Sequence, residues 1–162
     1  MFGLVLAIRF VAAPSLLAQS AVTVDVGVTT VSSEYESISL LETGVRFGSL
    51  KSKRVNADVR IATFPRALTA GVIVLATDID AAYVLPLGKG TVATPRGGFS
   101  LVGAASGEGA AGAPGVNFGI GVVAGLTSPI GVRLDYSHRT FFDTGEEGLG
   151  ASSFSIGIVW VH

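Results

Sequence analysis

The feature that most constrains this chain is an alternation of apolar and polar residues that recurs in eight segments from residue 21 onwards. Residues 22–29, VTVDVGVT, show the pattern in its simplest form, with valine at every second position. Because successive side chains of a β-strand point to opposite faces of the sheet, a period of two predicts strands. Each segment is long enough for the about 9–11 residues of a tilted transmembrane strand. The pattern therefore predicts an all-β protein of eight strands.

The polar face of these segments is built from glycine, serine, threonine and charged residues. Its charged members are Asp25, Glu42, Arg46, Arg54, Asp58, Arg60, Asp78, Asp80, Arg96, Arg133, Asp135 and Arg139. The planar guanidinium of arginine suits buried ion pairs, and an eight-stranded barrel is just wide enough inside for side chains. We predict that these residues form a salt-bridge network inside a closed barrel and that the apolar face contacts lipid. A soluble barrel would instead turn its apolar face inward.

Composition excludes several other classes of protein. Charged residues make up 14% of the chain, against about 25% in a typical soluble domain. Its only long apolar run, Phe2–Ala18, contains Arg9 and Pro14, so no transmembrane helix is expected. The formal net charge of −1 gives no electrostatic basis for binding nucleic acid. With no cysteine and only two histidines, we expect neither a metal site nor a cofactor.

The first 20 residues have the character of a secretory signal peptide. A short apolar region is followed by A-Q-S-A at residues 18–21, and cleavage after Ala18 or after Ser20 is compatible with it. Arg9 lies within the apolar region, whereas a typical signal peptide carries its basic residues before that region. The alternative is the first core strand or helix of a soluble domain. We predict a signal peptide over residues 1–20 and one barrel domain over residues 21–162.

The connections between the segments alternate in length. Short connections are expected near residues 50–53, 86–90 and 127–129, and longer ones at 32–37, 65–71, 105–115 and 142–150. Bacterial outer-membrane barrels have even strand numbers, short periplasmic turns and longer extracellular loops. The pattern therefore predicts a bacterial outer-membrane protein with extracellular loops and with both termini in the periplasm.

Three segments carry a resemblance to a known family. They are VNFGIGVVAGL at residues 116–126, SPIGVRLDYSHR at 128–139 and FSIGIVW at 154–160. Over about residues 21–162 the chain resembles the small eight-stranded outer-membrane β-barrels of the outer membrane protein A/X and opacity-protein type. The resemblance implies an antiparallel up-and-down barrel, or meander. The partners it implies are outer-membrane lipid, lipopolysaccharide, periplasmic chaperones and the barrel-insertion machinery.

The last segment has a particular role in the family that the chain resembles. Its final strand is the element that the insertion machinery recognises, and it also pairs with the first strand to close the barrel. Here that strand presents an unbroken apolar row made up of Phe154, Ile156, Ile158 and Trp160. Family members usually end on an aromatic residue, whereas Val161 and His162 follow Trp160 in this chain. We expect the barrel to be a monomer.

The pattern that points most directly to catalysis is Y-S-H-R-T at residues 136–140. His138 and Thr140 share one face of a strand, which is faintly similar to the His-x-Ser of lipid A deacylase barrels, with Glu146 or Glu147 as a conceivable orienting acid. Threonine replaces serine, however, and the flanking residues differ. We expect His138 to lie in an interfacial aromatic girdle instead.

Together these observations predict a non-enzymatic integral outer-membrane barrel with a charged, side-chain-filled interior. Its expected role is structural or in cell-surface interaction, with a very narrow pore as a variant. One alternative is a lipid-modifying outer-membrane enzyme that uses His138. The other is a periplasmic lipocalin-like carrier, which would need an apolar cavity where this sequence places charges.

Overall fold

The computed structural model describes residues 20–33, 36–50, 53–142 and 149–162. All but the last residue of the expected signal peptide therefore lie outside the described residues. One short helix and nine strand segments are present in the described ranges: β1 (Ser20–Ser32), β2 (Ser37–Ser49), β3 (Val55–Thr63), α1 (Pro65–Thr69), β4 (Ile73–Tyr83), β5 (Leu85–Gly88), β6 (Thr91–Ser106), β7 (Gly109–Ala124), β8 (Ile130–Phe141) and β9 (Gly150–Val161). Within these ranges no helix is both long and apolar enough to cross a membrane.

The strands form one closed antiparallel sheet. Each strand pairs with the next along the chain, and β1 pairs with β9 so that Val24 lies opposite Ile158. The predicted eight-stranded meander barrel is confirmed, because β4 and β5 together make its fourth strand. Both pair with β6 in the same register, as Ala82 opposite Arg96 and Leu85 opposite Ala93 show. The interruption lies across from Pro95, which has no backbone N–H to donate to the ladder.

One predicted loop is mostly strand. Residues 105–115 were expected to form a long connection, but β6 continues to Ser106 and β7 begins at Gly109, with Ala104 paired to Ala111. The expectation was wrong because ladder hydrogen bonds need only backbone groups, and the glycines and alanines of this stretch place no bulky side chain against them. β6 and β7 therefore form a hairpin longer than its neighbours.

Alternation along each strand separates the two faces of the barrel as the sequence predicted. In β1, Val24 is 49% exposed while the adjacent Asp25 is 7% exposed. In β8, Leu134 is 44% exposed and Asp135 is 7% exposed. The outer surface is therefore apolar and the interior carries the charges.

Apolar side chains close the interior at both ends of the barrel. The end where β1 begins and β9 ends, called the turn end below, has a buried layer that includes Val84, Val123 and Val159, each 0% exposed. At the opposite end, called the loop end, Phe64 is buried with Ala62 and Ala76. The two apolar layers therefore separate the charged interior from both ends of the barrel.

Arginine placed on the outer face should destabilise the barrel according to its depth. Leu134 lies mid-strand in β8 and Ile130 lies at the start of the same strand on the same face. We expect Leu134→Arg to lower the free energy of unfolding by about 2–4 kcal/mol and Ile130→Arg by about 0–1 kcal/mol. Denaturant titration of the barrel in lipid vesicles measures both. Equal losses at the two positions would contradict a membrane-spanning outer face.

Candidate functional site

The loop-end half of the interior holds five of the predicted charged residues. Arg60 contacts both Asp25, with Nη2 at 2.5 Å from Oδ1, and Glu42, at 2.8 Å from Oε1. Arg139 binds Asp78 with two nitrogens, since Nε donates to Oδ1 at 2.9 Å and Nη2 to Oδ2 at 2.7 Å. Arg139 Nη1 also lies 3.9 Å from Glu42 Oε2, which joins the two pairs. We call these five residues the loop-side cluster.

The turn-end half holds six more. Arg46 forms an ion pair with Asp58, and Asp135 forms ion pairs with Arg96 and Arg133. Longer contacts connect these pairs. Arg46 Nη1 lies 3.8 Å from Asp80 Oδ2, and Arg46 Nη2 lies 3.7 Å from Asp135 Oδ1. Arg96 Nε lies 3.3 Å from Asp80 Oδ2. The turn-side cluster consists of Arg46, Asp58, Asp80, Arg96, Arg133 and Asp135.

Neutral side chains extend the interior network. Ser100 donates its hydroxyl to Asp78 at 2.5 Å and accepts from Asn117 at 3.0 Å. Ser153 accepts from Arg139 Nη1 at 2.9 Å and hydrogen-bonds to Thr29 at 2.7 Å. Hydrogen bonding to neutral partners stabilises a buried charge that its ion pair alone leaves partly unsatisfied. The two clusters and these side chains therefore fill the barrel.

Arg54 does not belong to this network. The sequence places it on the same face as Asp58 and Arg60, but the structure leaves it exposed at the turn end, before β3 begins at Val55. The alternation rule failed here because it holds only inside a strand. The other eleven charged residues are all buried. They comprise six carboxylates and five guanidinium groups.

Glycine makes room for the large arginine side chains. A Cβ at Gly44 would lie 3.0 Å from Arg60 Nη2 and 2.9 Å from Asp25 Oδ1. A Cβ at Gly121 would lie 2.8 Å from Arg133 Nη2. Such glycines lie beside both clusters, so part of the chain's content of 22 glycines is explained by the volume of the buried guanidinium groups.

His138 lies on the outer face and is only partly buried. Its Nδ1 is 2.9 Å from the hydroxyl of Ser152 on β9, and its ring is 5.2 Å from that of Phe118. Sequence reasoning paired it with Thr140, two residues along the same strand. It missed Ser152, which lies opposite His138 through the register between β8 and β9, and that register is not visible in the sequence of either strand. Glu146 and Glu147 lie outside the described residues. No described carboxylate forms an ion pair with His138, so the described residues supply a histidine and a hydroxyl but no orienting acid.

A small cavity lies in the loop end of the barrel. It has a volume of about 150 Å³ and is lined by apolar side chains that include Phe64, Val74, Val102 and Phe141, with Arg139 on one side. Because Arg139 is 1% exposed and engaged with Asp78, the cavity exposes apolar surface rather than charge. Its lining includes Arg139 of the loop-side cluster and no residue of the turn-side cluster.

Comparison with known proteins identifies the fold. No family model matches this sequence, and no curated protein matches it either. Neisserial surface protein A is similar in structure, with a TM-score of 0.68 and 13% identity over 87% of this chain and 96% of that chain. The attachment invasion locus protein Ail of Yersinia pestis gives 0.64 and 8% over 90% and 99%.

The N-terminal β-barrel domain of Pseudomonas aeruginosa OprF has a TM-score of 0.56 and 14% identity over 85% of this chain and 97% of that chain. Identities this low show a shared fold and no more. At that level the resemblance found in the sequence, to the small eight-stranded outer-membrane barrels, is confirmed.

Removing one member of a buried ion pair should cost more than removing an exposed arginine. We expect Arg139→Met to lower the free energy of unfolding by about 3–5 kcal/mol, because Asp78 is then left buried and unpaired. The double variant Arg139→Met/Asp78→Leu should recover much of that loss. Arg54→Met is the matched control and should stay within about 0.5 kcal/mol of the wild type. Comparable losses at Arg54 and Arg139 would contradict the assignment of Arg54 to the exposed turn.

Proposed function

We propose that this chain is an integral protein of the bacterial outer membrane, with no enzymatic activity and a structural or cell-surface role. The observation that carries the proposal is the inverted distribution of its side chains. Large apolar residues such as Phe99, 73% exposed, and Phe154, 59% exposed, cover the outside, while Arg60 and Glu42 are buried inside. Water would solvate the second set and not the first, so lipid is the surrounding that matches this surface.

The filled interior argues against transport of a bound ligand. A lipocalin-like carrier needs an apolar cavity in the barrel, but here the two charged clusters occupy that space. A wide pore needs a continuous opening, but apolar layers cover both ends of the network. We therefore assign the barrel no cargo and no large conductance.

The orientation in the membrane follows from the connections. The three links at the turn end have five, two and five residues. The loop end carries α1, the extended β6–β7 hairpin and the eight-residue link between β8 and β9, besides a four-residue link between β1 and β2. Outer-membrane barrels place short turns in the periplasm and longer loops outside the cell. We assign the turn end to the periplasm and the loop end to the cell surface.

The names of the similar structures support a surface role without specifying it. One is a neisserial surface protein and another an attachment invasion locus protein. For this chain we propose contacts made through the loop end. The partners proposed for assembly are lipopolysaccharide, periplasmic chaperones and the insertion machinery, which would recognise the row Phe154, Ile156, Ile158 and Trp160.

The pair His138 and Ser152 does not change this assignment. In a hydrolytic site a hydroxyl acts as the nucleophile and a neighbouring histidine as its base, but a third group must orient the histidine. The described residues supply none, and Phe118 packs against the ring at a position typical of an interfacial aromatic girdle.

The barrel should remain folded in detergent until it is heated. We expect the unboiled protein to migrate differently from the boiled protein in electrophoresis, because a closed sheet has no free edge at which unfolding begins. The wild-type chain should also sediment with the outer membrane and resist carbonate extraction. Recovery in the soluble periplasmic fraction would contradict the proposal.

The reconstituted barrel should not conduct ions like a porin. We expect planar-bilayer recordings without large, steady openings, because side chains fill an interior of this width. A variant with the turn-end layer opened, Val84→Gly/Val159→Gly, should still lack such openings, since the turn-side cluster remains. Stable porin-sized currents from either protein would show that the interior is not filled.

A further inference from the structure

The charged residues outside the barrel interior are segregated by sign along its axis. Lys53, Arg54 and Lys89 are exposed at the turn end, while Glu36 and Glu108 are exposed at the loop end. Among the residues that the structure describes, the exception is Arg66, in α1 at the loop end.

The three exposed basic residues of the turn end occupy one side of the barrel. The backbone N–H of Lys53 donates to the carbonyl of Val84 at 2.9 Å, and Val84 N–H donates to the carbonyl of Arg54 at 3.4 Å. β5 then begins at Leu85, and Lys89 follows its last residue. We call Lys53, Arg54 and Lys89 the basic rim. No described acidic residue is exposed at this end.

The basic rim borders the lipid-facing surface. Leu87 is 61% exposed and Leu85 41% exposed on β5, and Val55, directly after Arg54, is 69% exposed. Long basic side chains next to such a surface keep their stems on apolar groups and extend their charges to the interface. That is the depth at which lipid phosphates lie.

We propose that the basic rim binds the headgroups of anionic phospholipids in the periplasmic leaflet. The proposal rests on the orientation given under the proposed function. Near an anionic surface each lysine or arginine contributes about 1 kcal/mol, which corresponds to about a fivefold preference. At the loop end the exposed charged residues that the structure describes are Glu36, Glu108 and Arg66, so no comparable basic cluster lies there. The barrel is therefore electrically polar, and its polarity matches a periplasmic leaflet that carries anionic lipid.

Tryptophan fluorescence quenched by brominated lipid tests the proposal. Trp160 is the only tryptophan and lies on β9, four strands away from β4 in the barrel order. A reporter at the basic rim is made by Leu87→Trp in a Trp160→Phe background, and wild-type Trp160 reports on the opposite side. Both proteins are placed in mixed vesicles of phosphatidylglycerol and phosphatidylcholine. Only the phosphatidylglycerol is brominated in the first set of vesicles, and only the phosphatidylcholine in the second.

We expect the rim reporter to show a preference of about fivefold or more for phosphatidylglycerol at low salt. The preference should approach unity in Lys53→Gln/Arg54→Gln/Lys89→Gln and in about 1 M salt, where the screening length is about 3 Å. Trp160 should show little preference under any condition. Equal quenching of the rim reporter by the two lipids would overturn the proposal. So would a preference for phosphatidylglycerol that persists in the triple variant, or one that is equally strong at Trp160.

Heat-modified migration of each variant separates this proposal from the proposed function. A barrel that stays folded in vesicles but shows no lipid preference disproves only the basic-rim proposal. A wild-type chain that does not insert at all disproves the membrane assignment. Should the triple variant fail to insert, the salt titration of the wild-type reporter decides the question, since ion pairing with headgroups weakens with salt and apolar contact does not.

Discussion

The pairing of β1 with β9 is the contact on which the rest of the structure depends. In lipid, each unpaired backbone N–H or C=O costs several kcal/mol, so a sheet survives there only when its two edges meet. The ladder from Ala21 opposite Val161 to Ser32 opposite Gly150 joins those edges along their whole length. Closure then fixes an inside and an outside, and the strand period of two assigns each side chain to one of them.

The closed barrel imposes an electrostatic condition on its interior. Charges removed from water must be paired and hydrogen-bonded, and a network with one member missing is worse than none. Arg139 shows how the condition is met, since it binds Asp78, Ser153 and Glu42 from three other strands. The same contacts that neutralise the buried carboxylates also fill the space through which a solute would pass. The neutralisation of the buried charges and the filling of the interior thus have one physical cause.

Sequence reasoning succeeded within strands and failed at their ends. The alternation of side chains along a strand was enough to assign Asp25, Asp135 and the other buried charged residues to the interior, because every second side chain points to the same face. Arg54 has the right parity but precedes β3, where the chain is still in a turn. The prediction for residues 105–115 was wrong in the opposite sense. Their glycines and alanines are typical of a loop in composition, yet most of them belong to the antiparallel ladder between β6 and β7.

The amino-acid sequence by itself determined the number of strands and their inward and outward faces, because both depend on local order along the chain. It could not determine which charges meet. Arg139 and Asp78 are 61 residues apart, and Ser152 reaches His138 only through the register of β8 with β9. The stagger and width of the closed barrel set these distances, and both are properties of all the strands together. The tertiary structure alone therefore decided the ion pairs, the apolar layers at the two ends and the grouping of Lys53, Arg54 and Lys89 on one side.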